Sequence, residues 1–132
     1  MPEIKQIKLA IVGSRSILDE KQVNSIIEST IFDLICDGAE ITHIVSGGAV
    51  GVDTIAEKYA DNIRINKIII KPDWDRDGKS AAFKRNAVIA KACDMMLVIH
   101  DPKSKTMGCL HAKSEADKLR KKTILWRYTA LN

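Results

Sequence analysis

The densest chemical signal in this chain is the run Val45-Ser46-Gly47-Gly48-Ala49-Val50-Gly51-Val52-Asp53. Three glycines fall within five residues, after an apolar run of strand character and before a segment of helical character. Lacking Cβ atoms, glycines turn tightly and let another group come close to the backbone. A strand that turns through them into a helix directs free N–H groups, and the positive end of the helix dipole, at one point. Phosphate or another anion is the natural occupant; a plain glycine turn is the competing account. The loop is neither GxGxxG nor a Walker sequence, because no Gly-Lys-Ser/Thr closes it.

Other polar groups could serve the same end. Gly13-Ser14-Arg15 offers a hydroxyl and a planar guanidinium fork suited to phosphate or carboxylate. Asp53 could accept from a ribose hydroxyl or cap backbone N–H groups, and the cap is the slightly better account. Lys79, Lys84, Arg85 and Asn86 cluster near one predicted helix start. Arg85 and Asn86 are adjacent, so on a helix they diverge by about 100° and would grip different parts of an extended ligand. Trp74 could form a wall for a base or a lid on the core. Thr106 and Gly108 stand at the entry to the last helix, where the glycine gives a second point of close approach.

The catalytic inventory is thin. His43, His100 and His111 show no zinc-ligand spacing, Cys36, Cys93 and Cys109 form no CxxC pair, and there is no GxSxG elbow. The acids Asp53, Asp73, Asp75, Asp77 and Asp101 lie in loops, where carboxylates are usually solvated. A phosphate cradle without an evident nucleophile or base fits a binder better than an enzyme. Neither a metal site nor a cofactor is expected.

The elements that must position these residues follow from periodicity. Ile7 to Val12, Ile41 to Ser46, a run containing Ile68 to Ile70, Met95 to Ile99, and Thr123 to Trp126 read as strands. Between them, helical spacing links Val23, Ile26, Ile27, Ile31, Leu34 and Ile35, with Asp19 as cap and Gly38 as stop. A second helix carries Val52, Ile55, Ala56, Tyr59 and Ala60 on one face. A third runs from near Ser80 to Ala92, burying Phe83, Ala87, Ile89 or Ala90, and Cys93. A fourth spans residues 109–121, with Leu110, Ala116 and Leu119 on a thin apolar face. Residues 72–79 read as a polar loop. Strict β-α alternation predicts a mainly parallel five-stranded sheet, covered on both faces, in one domain of 132 residues. Ligands of such sheets sit beyond the carboxyl ends of the strands, and all the unusual clusters fall there.

Composition bounds the partners. Net charge is +4, which suits an anionic ligand but is too mild and dispersed to argue for DNA. Six aromatic residues give little stacking surface for single strands. Unpaired cysteines, no signal-like start and no apolar run near 18 residues predict a cytoplasmic protein with no membrane contact. Exposed helices flanking a parallel sheet often pair, so a homodimer is a fair expectation.

Taken together, Gly13-Ser14-Arg15, Ser46 to Asp53, Asp73-Trp74, and Gly78-Lys79 with Arg85-Asn86 resemble the YspA-like branch of the SLOG superfamily. That superfamily groups DprA/Smf DNA-processing proteins with LOG-type nucleotide hydrolases. The resemblance spans nearly the whole chain and implies a Rossmann-like three-layer α/β/α sandwich that binds a nucleotide or nucleotide-derived phosphate ligand. Its implied ligand contacts are Gly13, Ser14, Arg15, Ser46, Gly47, Gly48, Gly51, Asp53, Trp74, Lys79, Arg85, Asn86, Thr106 and Gly108. Two departures bear on activity. Thr106-Met107-Gly108-Cys109 stands where the branch has Ser-x-Gly-Thr, and the catalytic glutamate of LOG-type hydrolases falls on Ala112. Arg85 keeps the place of the LOG arginine, but the acid is missing. A nucleotide-binding sensor or carrier is therefore the favoured expectation. A phosphoribohydrolase or transferase cleaving N-glycosidic bonds, and a single-stranded DNA-processing protein akin to DprA, are the alternatives.

Overall fold

The computed structural model describes residues 4–129. Five strands form one sheet in the order β3-β2-β1-β4-β5, and every neighbouring pair is parallel. They are β1 (Lys5–Gly13), β2 (Ala39–Ser46), β3 (Asn66–Ile69), β4 (Met95–His100) and β5 (Lys122–Arg127). The crossovers carry α1 (Glu20–Cys36), α2 (Val52–Asn62), α4 (Ala81–Ala92) and α5 (Gly108–Lys118).

The continuous apolar character of β1 and β4 has a simple cause. Leu9 and Ile11 of β1, with Leu97 and Ile99 of β4, face one cluster shared with α1 and α2. Their alternates Ala10, Val12, Met96 and Val98 face a second cluster with Ile89, Ala90, Ala112 and Ala116 of α4 and α5. A side-chain period of two thus needs apolar residues at every position when both faces are covered. The edge strands depart from this expectation: β3 and β5 are largely exposed, because each has a partner on one side only.

Three local expectations need correction. Residues 74–77 are not loop but a single helical turn, α3 (Trp74–Asp77), followed by a 3-10 turn over Gly78–Ser80. Asp73 caps it, its Oδ1 accepting from the Arg76 amide at 3.0 Å. Phe83 is not buried; it is 55% exposed and meets His111 edge-on, centroids 4.5 Å apart. The buried face of α4 is instead Ala81, Asn86, Ile89 and Ala90, a face that includes a polar residue. Ile35 and Leu119 are also exposed, at the ends of their helices' apolar stripes. Asp19 and Gly38 act as expected: the Asp19 carboxylate accepts from Gln22 N, and Gly38 takes φ +92° just after α1.

The chain moves outward from β1 through β2 to β3, then returns to the other side of β1 for β4 and β5. The loops after β1 and β4 therefore part in opposite directions, and a crevice opens between them.

Candidate functional site

Two adjoining cavities occupy that crevice. The inner one, about 190 Å³, has an apolar floor of Val12, Ile89 and Ala112. Gly13, Ser14, Asp53, Asn86, Thr106, Gly108 and Cys109 rise around it. The outer one, about 390 Å³, is lined by Gly47, Gly48, Val50, Lys71, Pro72 and Trp74. Arg15, Ala49 and Arg85 belong to both, so two guanidiniums stand at the junction. Arg15, at the carboxyl end of β1, has no side-chain hydrogen bond or ion pair among the described residues. Arg85, on the first turns of α4, donates through Nη1 to Gly47 O and through Nε to Asn86 Oδ1 at 2.9 Å.

The glycine loop is built differently from the expected open cradle. The amides of Gly47, Gly48 and Ala49 are already in use. Asp53 Oδ2 accepts from Gly47 N at 3.2 Å and from Ala49 N at 3.4 Å, and Ser46 Oγ accepts from Gly48 N at 3.3 Å. The protein's own carboxylate takes two of the loop N–H groups where a phosphate was expected, so Asp53 caps the loop, while no side chain caps the start of α2. Burial pushes its pKa from 3.8 to about 6, against the pull of the Ala49 amide and the Arg85 charge. Burial lowers the Arg85 pKa, Asp53 raises it, and the like charge of Arg15 lowers it further. Two guanidiniums close enough to repel, beside one carboxylate that acts on Arg85, leave unbalanced positive charge at the mouth. The start of α5 adds to it: no side chain caps its N–H groups, and Gly108 and Cys109 of its first turn line the inner wall.

Glycines here accommodate the protein itself. Gly51 has φ +85°, and a Cβ on it would lie 2.6 Å from Ser14 O and 2.7 Å from Arg15 O. A Cβ on Gly13 would lie 2.5 Å from both Ile99 O and the Val52 side chain. These contacts clamp the glycine loop against the arginine loop.

The structure thus gathers Gly13, Ser14, Arg15, Gly47, Gly48, Asp53, Trp74, Arg85, Asn86, Thr106 and Gly108 on the two cavity walls. Ser46, Gly51 and Lys79 line neither. Ser46 is buried, donating to Glu57 Oε2 at 2.6 Å. Gly51 serves as packing, and Lys79 points from an exposed turn. Trp74 is 52% exposed on the outer wall and is not a core lid. Ser14 Oγ accepts from the Asp101 amide at 2.9 Å, tying the loops after β1 and β4 together.

Ala49 and Cys109 stand inside the sequence motifs but are not singled out by them as site residues, and no motif marks Lys71. Cys109 Sγ lies 3.5 Å from His100 Nδ1 and 3.9 Å from Ser14 Oγ, and burial raises its pKa. Asp53 is the one acid among the lining residues. No group of three or more His, Cys, Asp or Glu that could hold a metal occurs among the described residues.

Fold and site define a Rossmann-like α/β domain with an arginine-lined crevice at its switch point. Residues 1–73 match the family model described as DNA recombination-mediator protein A, and the chain belongs to that family. The matched stretch contains the loops of Arg15 and of Ser46 to Asp53. Among curated relatives, the Gene 61 protein of Mycobacterium phage D29 is 30% identical over 100 residues, 68% of this chain and 78% of that protein. The fold matches the X-ray structure of DNA processing protein A (DprA) from Streptococcus pneumoniae with TM-score 0.70 and 21% identity. That match covers 95% of this chain and 52% of the DprA chain, so this chain spans about half its length. The SLOG-type resemblance therefore falls on its DNA-processing side. No helix among the described residues is long and apolar enough to cross a membrane.

Proposed function

We propose that this domain binds single-stranded DNA, seating a backbone phosphate between Arg15 and Arg85 and a base against Trp74. The observation that carries this is the pair of guanidiniums at the junction of two cavities, with no side-chain counterion but Asp53. The family name and the name of the solved relative, DNA processing protein A, support it. They turn the balance against the small-nucleotide reading that composition favoured. Six aromatics is a count for the whole chain, whereas stacking needs one ring in the right place, and Trp74 is exposed beside Lys71 and Arg15. Asp73-Trp74 and Gly78-Lys79 support a placement in the YspA-like branch.

A second reading keeps a nucleotide-like small molecule as the ligand. The inner cavity favours it, since about 190 Å³ over an apolar floor suits one base or sugar better than a chain. A LOG-type hydrolase is not supported: Ala112 forms the floor where the glutamate would stand, and Glu115 lines neither cavity.

Fluorescence anisotropy with a labelled oligothymidylate, at 50 and 200 mM salt, tests the proposal. With Arg15, Arg85 and Lys71 on phosphates, affinity should fall about 20-fold across that range. Arg15→Ala and Arg85→Ala should each abolish most of it. An oligomer that does not bind at 50 mM salt, beside saturable binding of a mononucleotide, would hand the site to the second reading.

A further inference from the structure

Asn86 is buried, and its neighbours leave no choice in how its amide lies. Arg85 Nε, which can only donate, is 2.9 Å from Asn86 Oδ1. Gly108 O, which can only accept, is 3.1 Å from Asn86 Nδ2. The remaining amide hydrogen meets His111 Nδ1, also at 3.1 Å. That ring nitrogen must therefore accept, which puts the imidazole proton on Nε2. Nε2 in turn lies 3.3 Å from Glu115 Oε1, and Glu115 is also paired with Lys118 at 3.2 Å. Hydrogen bonds thus run from His111 through Asn86 to Arg85 Nε, with Glu115 within ion-pair distance at the far end.

Resting on the reading of Arg85 as the anion's ligand, we infer that His111, backed by Glu115, is the positioning residue for that guanidinium. His111 holds the Asn86 amide, and the Asn86 oxygen holds Arg85 Nε. With Nε fixed on one side and Nη1 on Gly47 O on the other, the guanidinium plane cannot turn. Nη2 has no partner among the described residues and is left for a ligand. Asn86 is thus a bracket between α4 and α5, with both amide hydrogens spent inside the protein. Arg85 depends on a histidine of another helix that lines neither cavity.

A pH profile would confound this arm with Asp53, which titrates near 6, so side-chain replacement is the cleaner route. Asparagine at position 111 can offer an acceptor close to Nδ1; leucine offers none. Long-range proton–nitrogen NMR on the ligand-free protein should show the proton of His111 on Nε2. The Arg85 Nε–H signal, assigned by its loss in Arg85→Lys, should be protected from exchange in the wild type and in His111→Asn. It should be unprotected in His111→Leu. Oligothymidylate binding should weaken about tenfold in His111→Leu and stay within about twofold in His111→Asn. A proton on Nδ1, or equal Arg85 protection in the Asn and Leu variants, overturns the inference. If His111→Leu does not fold, the wild-type tautomer decides it. A wild type that binds no oligonucleotide refutes the proposed function, while the tautomer and exchange data still judge the positioning role.

Discussion

Replacing Asp53 by asparagine should change how stability depends on pH, and the change can be worked from the structure. The buried carboxyl has a pKa of about 6 in the folded protein, against 3.8 for an ordinary aspartate. The folded state therefore holds this proton more tightly than the unfolded chain. Ionising Asp53 costs folding free energy, absent below pH 3.8, growing through the interval and fully present above about 6. At about 1.4 kcal/mol for each pH unit, the interval amounts to about 3 kcal/mol. Asp53→Asn removes the charge and keeps an oxygen able to accept from Gly47 N and Ala49 N. The pull of Arg85 is already contained in the pKa of about 6. Urea unfolding of both proteins between pH 4 and 8 would measure this. The other acids are common to both proteins and cancel in the difference. The variant should gain on the wild type as pH rises from 4 to 7, by up to about 3 kcal/mol. A difference that stays flat across that range would refute the idea that burial dominates at Asp53.

The remaining predictions concern the walls of the site. Gly51→Ala should destabilise by about 3 kcal/mol in thermal or urea unfolding, since its Cβ would press on two carbonyl oxygens at positive φ. Wild-type stability in that variant would mean the two loops are not in contact. Trp74→Ala should leave stability within about 0.5 kcal/mol, because the ring is half exposed. It should weaken oligothymidylate binding about tenfold, and unchanged affinity would remove Trp74 from the interface. Lys121→Met should cost about 1–2 kcal/mol by calorimetry. Its ammonium donates to Ala90 O at 2.6 Å, Lys91 O at 3.0 Å and Cys93 O, closing the end of α4.

Periodicity made the elements legible. β-branched runs marked the strands, and Val23, Ile27 and Leu34 marked the inner face of α1, because both signals are local. The rim was legible too, since parallel topology sends every strand end to one side. Sheet order was not, as nothing local records which side of β1 the chain returns to. Partners across the fold were also hidden. Asp53 filling the loop amides could be weighed from a spacing of six residues. Asn86 meeting His111 of α5 could not, and the exposed Phe83 misled because hydrophobicity alone favoured it over Asn86 for the inner face. The i, i+4 spacing of His111 and Glu115 was the one available hint.

The seating of Gly51 on the carbonyls of Ser14 and Arg15 has a consequence for how a ligand is met. The glycine loop and the arginine loop are packed backbone against backbone, so neither has to settle when a guest arrives. The entropy lost on capture falls on the guest, and encounter should proceed without a slow closing step.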